Sequence, residues 1–67
     1  MLSPLKEARL KADMKQYKLA SLIGISQAEL SNYELGRYRC PADKRHKLAK
    51  VLKKSVDELF PNEDDNI

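Results

Sequence analysis

One cysteine, one histidine, two glycines and no tryptophan deny this 67-residue sequence the raw material of several protein classes. Cys40 alone cannot form an internal disulfide, and Cys40 with His46 cannot assemble a multi-ligand Cys/His zinc site. A lone thiol suits a reducing compartment. No apolar run approaches the ~18 residues that a membrane span needs. The opening MLSPLKEARLK has no long apolar stretch of the kind found in secretory signals. No Gly-rich phosphate loop is present, and one histidine cannot supply a Ser–His–Asp set with spare partners. The expectation is a soluble, cytoplasmic, non-enzymatic protein with no metal, cofactor or membrane partner.

Charge is present and unevenly placed. The net charge is +3, but the tail PNEDDNI carries Glu63, Asp64 and Asp65. Residues 1–60 therefore hold 13 basic against 7 acidic groups. Between 37 and 54 stand Arg37, Arg39, Lys44, Arg45, Lys47, Lys50, Lys53 and Lys54, opposed by Asp43 alone. Such a block points to a polyanion partner. The plainer reading of Lys44 to Lys54 is a solvated helix face, directed at water or a distant phosphate.

Helical signals fill the chain. Ser3 is a natural N-cap and Pro4 suits the first helical position, where a missing N–H costs nothing. Leu5, Ala8 and Ala12 then recur at helical spacing and should face the core, with Asp13 closing the helix. A second helix covers about Gln16 to Ile23, with Leu19, Ala20 and Ile23 inward, and Gly24 supplies its left-handed end. The third opens at Ser26, with Glu29 three residues on as a capping-box partner, buries Leu30 and Tyr33, and ends at Gly36. RYRCPA reads as a loop stopped by Pro41. A fourth helix runs from about Asp43 to Lys53, with Leu48, Ala49 and Leu52 inward. The fifth starts at Ser55 with Glu58 as box partner, buries Val56, Leu59 and Phe60, and stops at Pro61. The pattern predicts an all-α, compact five-helix domain over residues 1–60, with 61–67 as an acidic, frayed tail.

The segment QYKLASLIGISQAELSNYELG resembles the helix-turn-helix of the phage-repressor class, the Cro/C1 or Xre family. Leu19, Ala20, Ile23, Gly24, Ile25, Leu30 and Tyr33 fall where that family has apolar, small or glycine residues. The physics agrees: a three-residue turn makes the two helices cross steeply, so Ala20 is small where the third passes over it. SVDELF resembles the family's last helix, and the likeness runs from Leu5 to Phe60. It implies a lambda-repressor-like fold and a partly buried ion pair between Arg9 and Glu34. Two departures stand out. Lys53 and Lys54 occupy positions where the family commonly has glycine and an apolar residue, which implies a strained turn. Glu29 puts a carboxylate on the third helix. It either folds back as a cap, the reading favoured here, or accepts from a cytosine amino group.

The resemblance also assigns the site. The third helix lies in the major groove, where Gln and Asn read base edges. Carried over, the base-contacting residues are Ser26, Gln27, Ala28, Ser31 and Asn32, with Ala28 offering a methyl contact to thymine. Phosphate contacts fall to Gln16 at the start of the second helix, assisted by Lys15 and Lys18, and to Arg37, Tyr38 and Arg39 on the following loop. Tyr38 has a second role open to it, leaning on the core. Tyr17 either covers the second helix or reaches a phosphate, and His46 is a surface group. Cys40 reads as a loop residue without the basic pocket that makes a thiol reactive.

The function implied is a sequence-specific double-stranded DNA-binding transcriptional regulator, a repressor in the first instance, bacterial or phage-encoded. It would act as a homodimer on a pseudo-palindromic operator, without a small-molecule effector domain. Two other readings keep the fold. One is a protein-interaction module of antitoxin or anti-repressor type; the other is a recombination directionality factor of a mobile element.

Overall fold

Serines open three of the five helices, and each does so with its hydroxyl oxygen. In the computed structural model, which describes residues 3–61, the helices are α1 (Pro4–Lys11), α2 (Gln16–Ile23), α3 (Gln27–Leu35), α4 (Ala42–Leu52) and α5 (Val56–Leu59). Ser3 accepts from the backbone N–H of Lys6, Ser26 from that of Glu29 and Ser55 from that of Glu58, at 3.2, 3.0 and 3.1 Å. Each such cap stabilises a helix by ~0.5–2 kcal/mol. At α5 the Glu58 carboxylate also returns to the Ser55 N–H at 3.0 Å, which completes a capping box. α2 and α4 start at Lys15 and Pro41 without a side-chain cap.

The first four helices end alike. Asp13, Gly24, Gly36 and Lys53 take left-handed backbone conformations. The next N–H then reaches back to a carbonyl in the last turn: Met14 to Arg9, Ile25 to Ala20, Arg37 to Asn32 and Lys54 to Ala49, at 3.0–3.2 Å. Glycine adopts that conformation without a Cβ penalty, whereas Lys53, at φ 57°, carries a strain of order 1 kcal/mol. The strained turn expected at Lys53 is therefore present. Asp13 occupies the left-handed position just beyond the cap residue Ala12 rather than the cap itself.

The core is Leu5, Leu19, Ala20, Ile23, Leu30, Cys40, Leu48, Ala49, Leu52, Leu59 and Phe60, with Ala8, Ile25, Tyr33 and Val56 packed against it. Truncating one of its leucines to alanine costs ~2–5 kcal/mol. Four expectations change. Ala12 is exposed, and Arg9 takes the buried place on α1 instead. Arg45 is buried and Lys44 half-buried, so α4 is not lysine and arginine in solvent throughout. α4 begins at Ala42 and ends at Leu52, one residue early at each end. Cys40 is fully enclosed, a core residue delivered by a loop. The fraying expected of the acidic tail concerns residues beyond 61, outside the described range.

Candidate nucleic-acid interface

Only Gly24, Ile25 and Ser26 separate α2 from α3. Gly24, at φ +76°, reverses the chain, and the two helices pack against each other through Leu19, Ala20 and Leu30. Leu30 faces inward, so the helical repeat turns Ala28 and Asn32 away from the core and puts Ser31 at the flank, while Gln27, one turn before Leu30 on its side of the helix, is exposed in the first turn. Ser26, Gln27 and Ala28 are exposed, whereas Ser31 and Asn32 are half-buried.

The position of α3 depends on a buried ion pair. Arg9 on α1 donates through Nε to Glu34 Oε2 at 2.6 Å and through Nη2 to Glu34 Oε1 at 3.2 Å. Its Nη1 donates to the Met14 carbonyl at 2.8 Å. The pair joins α1 to the last turn of α3, as the resemblance implied, and both residues are at most 6% exposed. The sum of attraction and desolvation for such a pair is small, but removal of one partner strands a charge.

Gln16 extends this network. Its Nε2 donates to Glu34 Oε1 at 3.0 Å, and its Oε1 accepts from Gln27 Nε2 at 3.2 Å. A residue expected at a phosphate and one expected at a base edge are thus brought together. Gln16 begins α2, whose first backbone N–H groups have no side-chain cap, and this is an end that favours an anion. Lys15 and Lys18 stand exposed beside it. Arg37, Tyr38 and Arg39 project from the loop after α3; Tyr38 is 62% exposed and does not lean on the core.

Glu29 does not fold back as a cap. Its N–H donates to Ser26, but its carboxylate turns the other way and accepts from the Tyr33 hydroxyl one turn along. Lys44 of α4 approaches the same oxygen at 3.8 Å. Burial pushes the Tyr33 phenol well above its ordinary value near 10, and the bond to the Glu29 carboxylate and that group's charge push it further. Lys44 thereby offsets the negative charge that Glu29 places on α3. The sequence reading missed this role for Lys44, because the partner lies fifteen positions away on another helix.

Among the described residues there is no group of His, Cys, Asp and Glu that could hold a metal ion, and no helix is long and apolar enough to cross a membrane. The short turn, the packing of α2 on α3 and the exposed polar residues of α3 fit a helix-turn-helix domain. A helix-turn-helix family profile, HTH_3, matches residues 5–59, and the chain belongs to this Cro/C1-type (Xre) family. Its binding partner is accordingly DNA. No match is found among curated proteins.

Proposed function

We propose that this protein is a sequence-specific transcriptional regulator, acting as a repressor, that inserts α3 into the major groove of double-stranded DNA. The observation that carries the reading is the outward face of α3. There Gln27, Ala28, Ser31 and Asn32, with Ser26 at the cap, offer amides, hydroxyls and a methyl group to base edges. Gln16, Lys15 and Lys18 flank that face at the start of α2, and Arg37, Tyr38 and Arg39 flank it on the loop, suited to phosphates on either side.

The longest dimension of the domain is 31 Å, less than the ~34 Å of one DNA turn, so one copy spans a single half-site. A pseudo-palindromic operator would then be filled by a homodimer. Leu35, 61% exposed beside a groove lined by Leu59, Phe60 and Pro61, offers an apolar surface for a second copy.

The test is selection from a randomised-duplex pool, with binding measured across a salt series. A symmetric motif that weakens in Gln27→Ala and Asn32→Ala supports the reading. So does a log–log salt slope that falls by ~0.9 for each phosphate contact removed, as in Arg37→Ala. Binding without a motif would leave only electrostatic association. Absence of binding at moderate salt would overturn the reading and favour a protein-interaction module.

A further inference from the structure

The carboxylates of Glu63, Asp64 and Asp65 stand two to four positions beyond Pro61. Phe60 and Pro61 line the same groove as Leu35 and Gly36, and that groove holds only ≈ 180 Å³. Gly36 is followed at once by Arg37, Tyr38 and Arg39, all exposed. The fold thus sets the start of the most acidic stretch of the chain beside the start of the basic loop, although α4 and α5 intervene in sequence. A chain advances at most ~3.6 Å per residue, so Glu63 is tethered within ~7 Å of Pro61 and Asp65 within ~14 Å, Cα to Cα. Charges act over ~8 Å at physiological salt, which keeps the two sets within reach of each other. Local counter-charge is scarce. Asp43 is the one acid between 37 and 54, and among the described residues no carboxylate pairs with Arg37.

We propose that residues 62–67 dock on the loop from Arg37 to Arg39 of their own chain. Glu63, Asp64 and Asp65 then occupy the place of DNA phosphates, and the segment is a built-in competitor of DNA. This inference rests on the assignment of that loop to the phosphate backbone. DNA must displace the segment whether or not its bases suit α3. The competitor therefore weakens matched and random duplex alike and leaves the preferred sequence unchanged. Its effect is largest at low salt, where arginines hold phosphates of any sequence most strongly.

The test neutralises the segment in the full chain with Glu63→Gln, Asp64→Asn and Asp65→Asn together. A control carries the same change of charge at three exposed acids elsewhere, Glu7→Gln, Asp13→Asn and Asp57→Asn. Binding to a random-sequence duplex is measured at ~50 and ~200 mM salt, alone and with Arg37→Ala and Arg39→Ala added. Neutralising 63–65 should tighten binding roughly threefold to tenfold at the lower salt and less at the higher. The gain should vanish when both arginines are absent. Without DNA, the backbone amide signals of residues 37–39 in an NMR spectrum should move in the 63–65 variant and stay in the control.

No gain in affinity overturns the competitor. A gain that persists without the arginines, or that the control matches, also overturns it, because net charge alone would then be responsible. Loop signals that do not move in the free protein overturn the docking. A chain that binds no duplex at either salt fails the DNA-binding reading and the competition with it, while the NMR comparison still decides whether the segment docks.

Discussion

Two helix starts in this chain carry the same four-residue signal, a serine followed three positions later by a glutamate, and it resolves in two ways. In SVDE, at the start of α5, both bonds of the box close, Ser55 to the Glu58 N–H and Glu58 to the Ser55 N–H. In SQAE, at the start of α3, only the serine half forms, and Glu29 goes to Tyr33 and Lys44. The local sequences are equivalent as caps; their surroundings are not. Glu58 is exposed, with the Ser55 N–H as its bonded donor, whereas Glu29 has a phenol one helical turn away and an ammonium on α4. A half-buried donor and a cation outcompete a backbone N–H that water can satisfy. At these two helix starts the signal predicts the serine bond but does not say where the acidic partner will point.

The comparison breaks most completely if α3 loses its anchor. We predict that Glu34→Ala, which strands Arg9, costs ~3–5 kcal/mol, much of the stability of a small domain. Urea unfolding followed by circular dichroism would show it, and a loss below about 1 kcal/mol would mean the pair is not buried as described. Next in size are the serines. Ser26→Ala and Ser55→Ala should each destabilise by ~1 kcal/mol, because the hydroxyl bond is the same in both motifs. A clear inequality between their urea midpoints would show that the carboxylates, not the hydroxyls, dominate the caps.

Smaller effects separate the two glutamates. Glu58→Gln should lower the melting temperature and leave DNA affinity unchanged. Glu29→Gln should leave α3 capped. In a cycle with Lys44→Gln it should show a coupling of only ~0.3–1 kcal/mol, since both side chains are partly in water. No coupling at all would dismiss the Glu29–Lys44 pair.

The smallest effects are read by pH, one motif at each end of the scale. Bonds from the Ser55 N–H and hydroxyl hold the Glu58 carboxyl below its ordinary 4.5. The unfolded chain thus binds that proton more readily, and the box's contribution, present above about pH 4.5, fades as the pH falls. Tyr33 is shifted upward, so its contribution is present below pH 10 and fades as the pH rises beyond it. Glu58→Gln should flatten the acid limb of a stability–pH curve and Tyr33→Phe the alkaline limb. An exchange of these effects would refute the assignment.

Much of the fold was legible because caps, glycines and apolar spacing are local signals. The serine starts, the glycine ends of α2 and α3 and most of the core follow from residues within one turn of each other. What could not be read is what distance along the chain conceals. Periodicity puts Ala12 in the core, and only the resemblance, not the spacing, pointed to Arg9 being drawn inward by Glu34, twenty-five positions on. Cys40 sits in a loop by sequence and in the core by packing. Of the candidate site, the outward α3 residues were identifiable by resemblance. The bonds joining Gln27 to Gln16 and Gln16 to Glu34 were not, because they cross between α2 and α3 over separations of 11 and 18 positions.

The enclosure of Cys40 makes the loop between α3 and α4 a built-in clock. Its thiol is 0% exposed, one residue from Arg39 and three from Arg37. A thiol-labelling reagent can reach it only when that loop lifts, so the labelling rate counts openings of the segment assigned to the DNA backbone. If the arginines grip phosphates, added duplex should slow the count. If the rate does not change, the loop does not close on DNA, and phosphate binding belongs to the start of α2 alone.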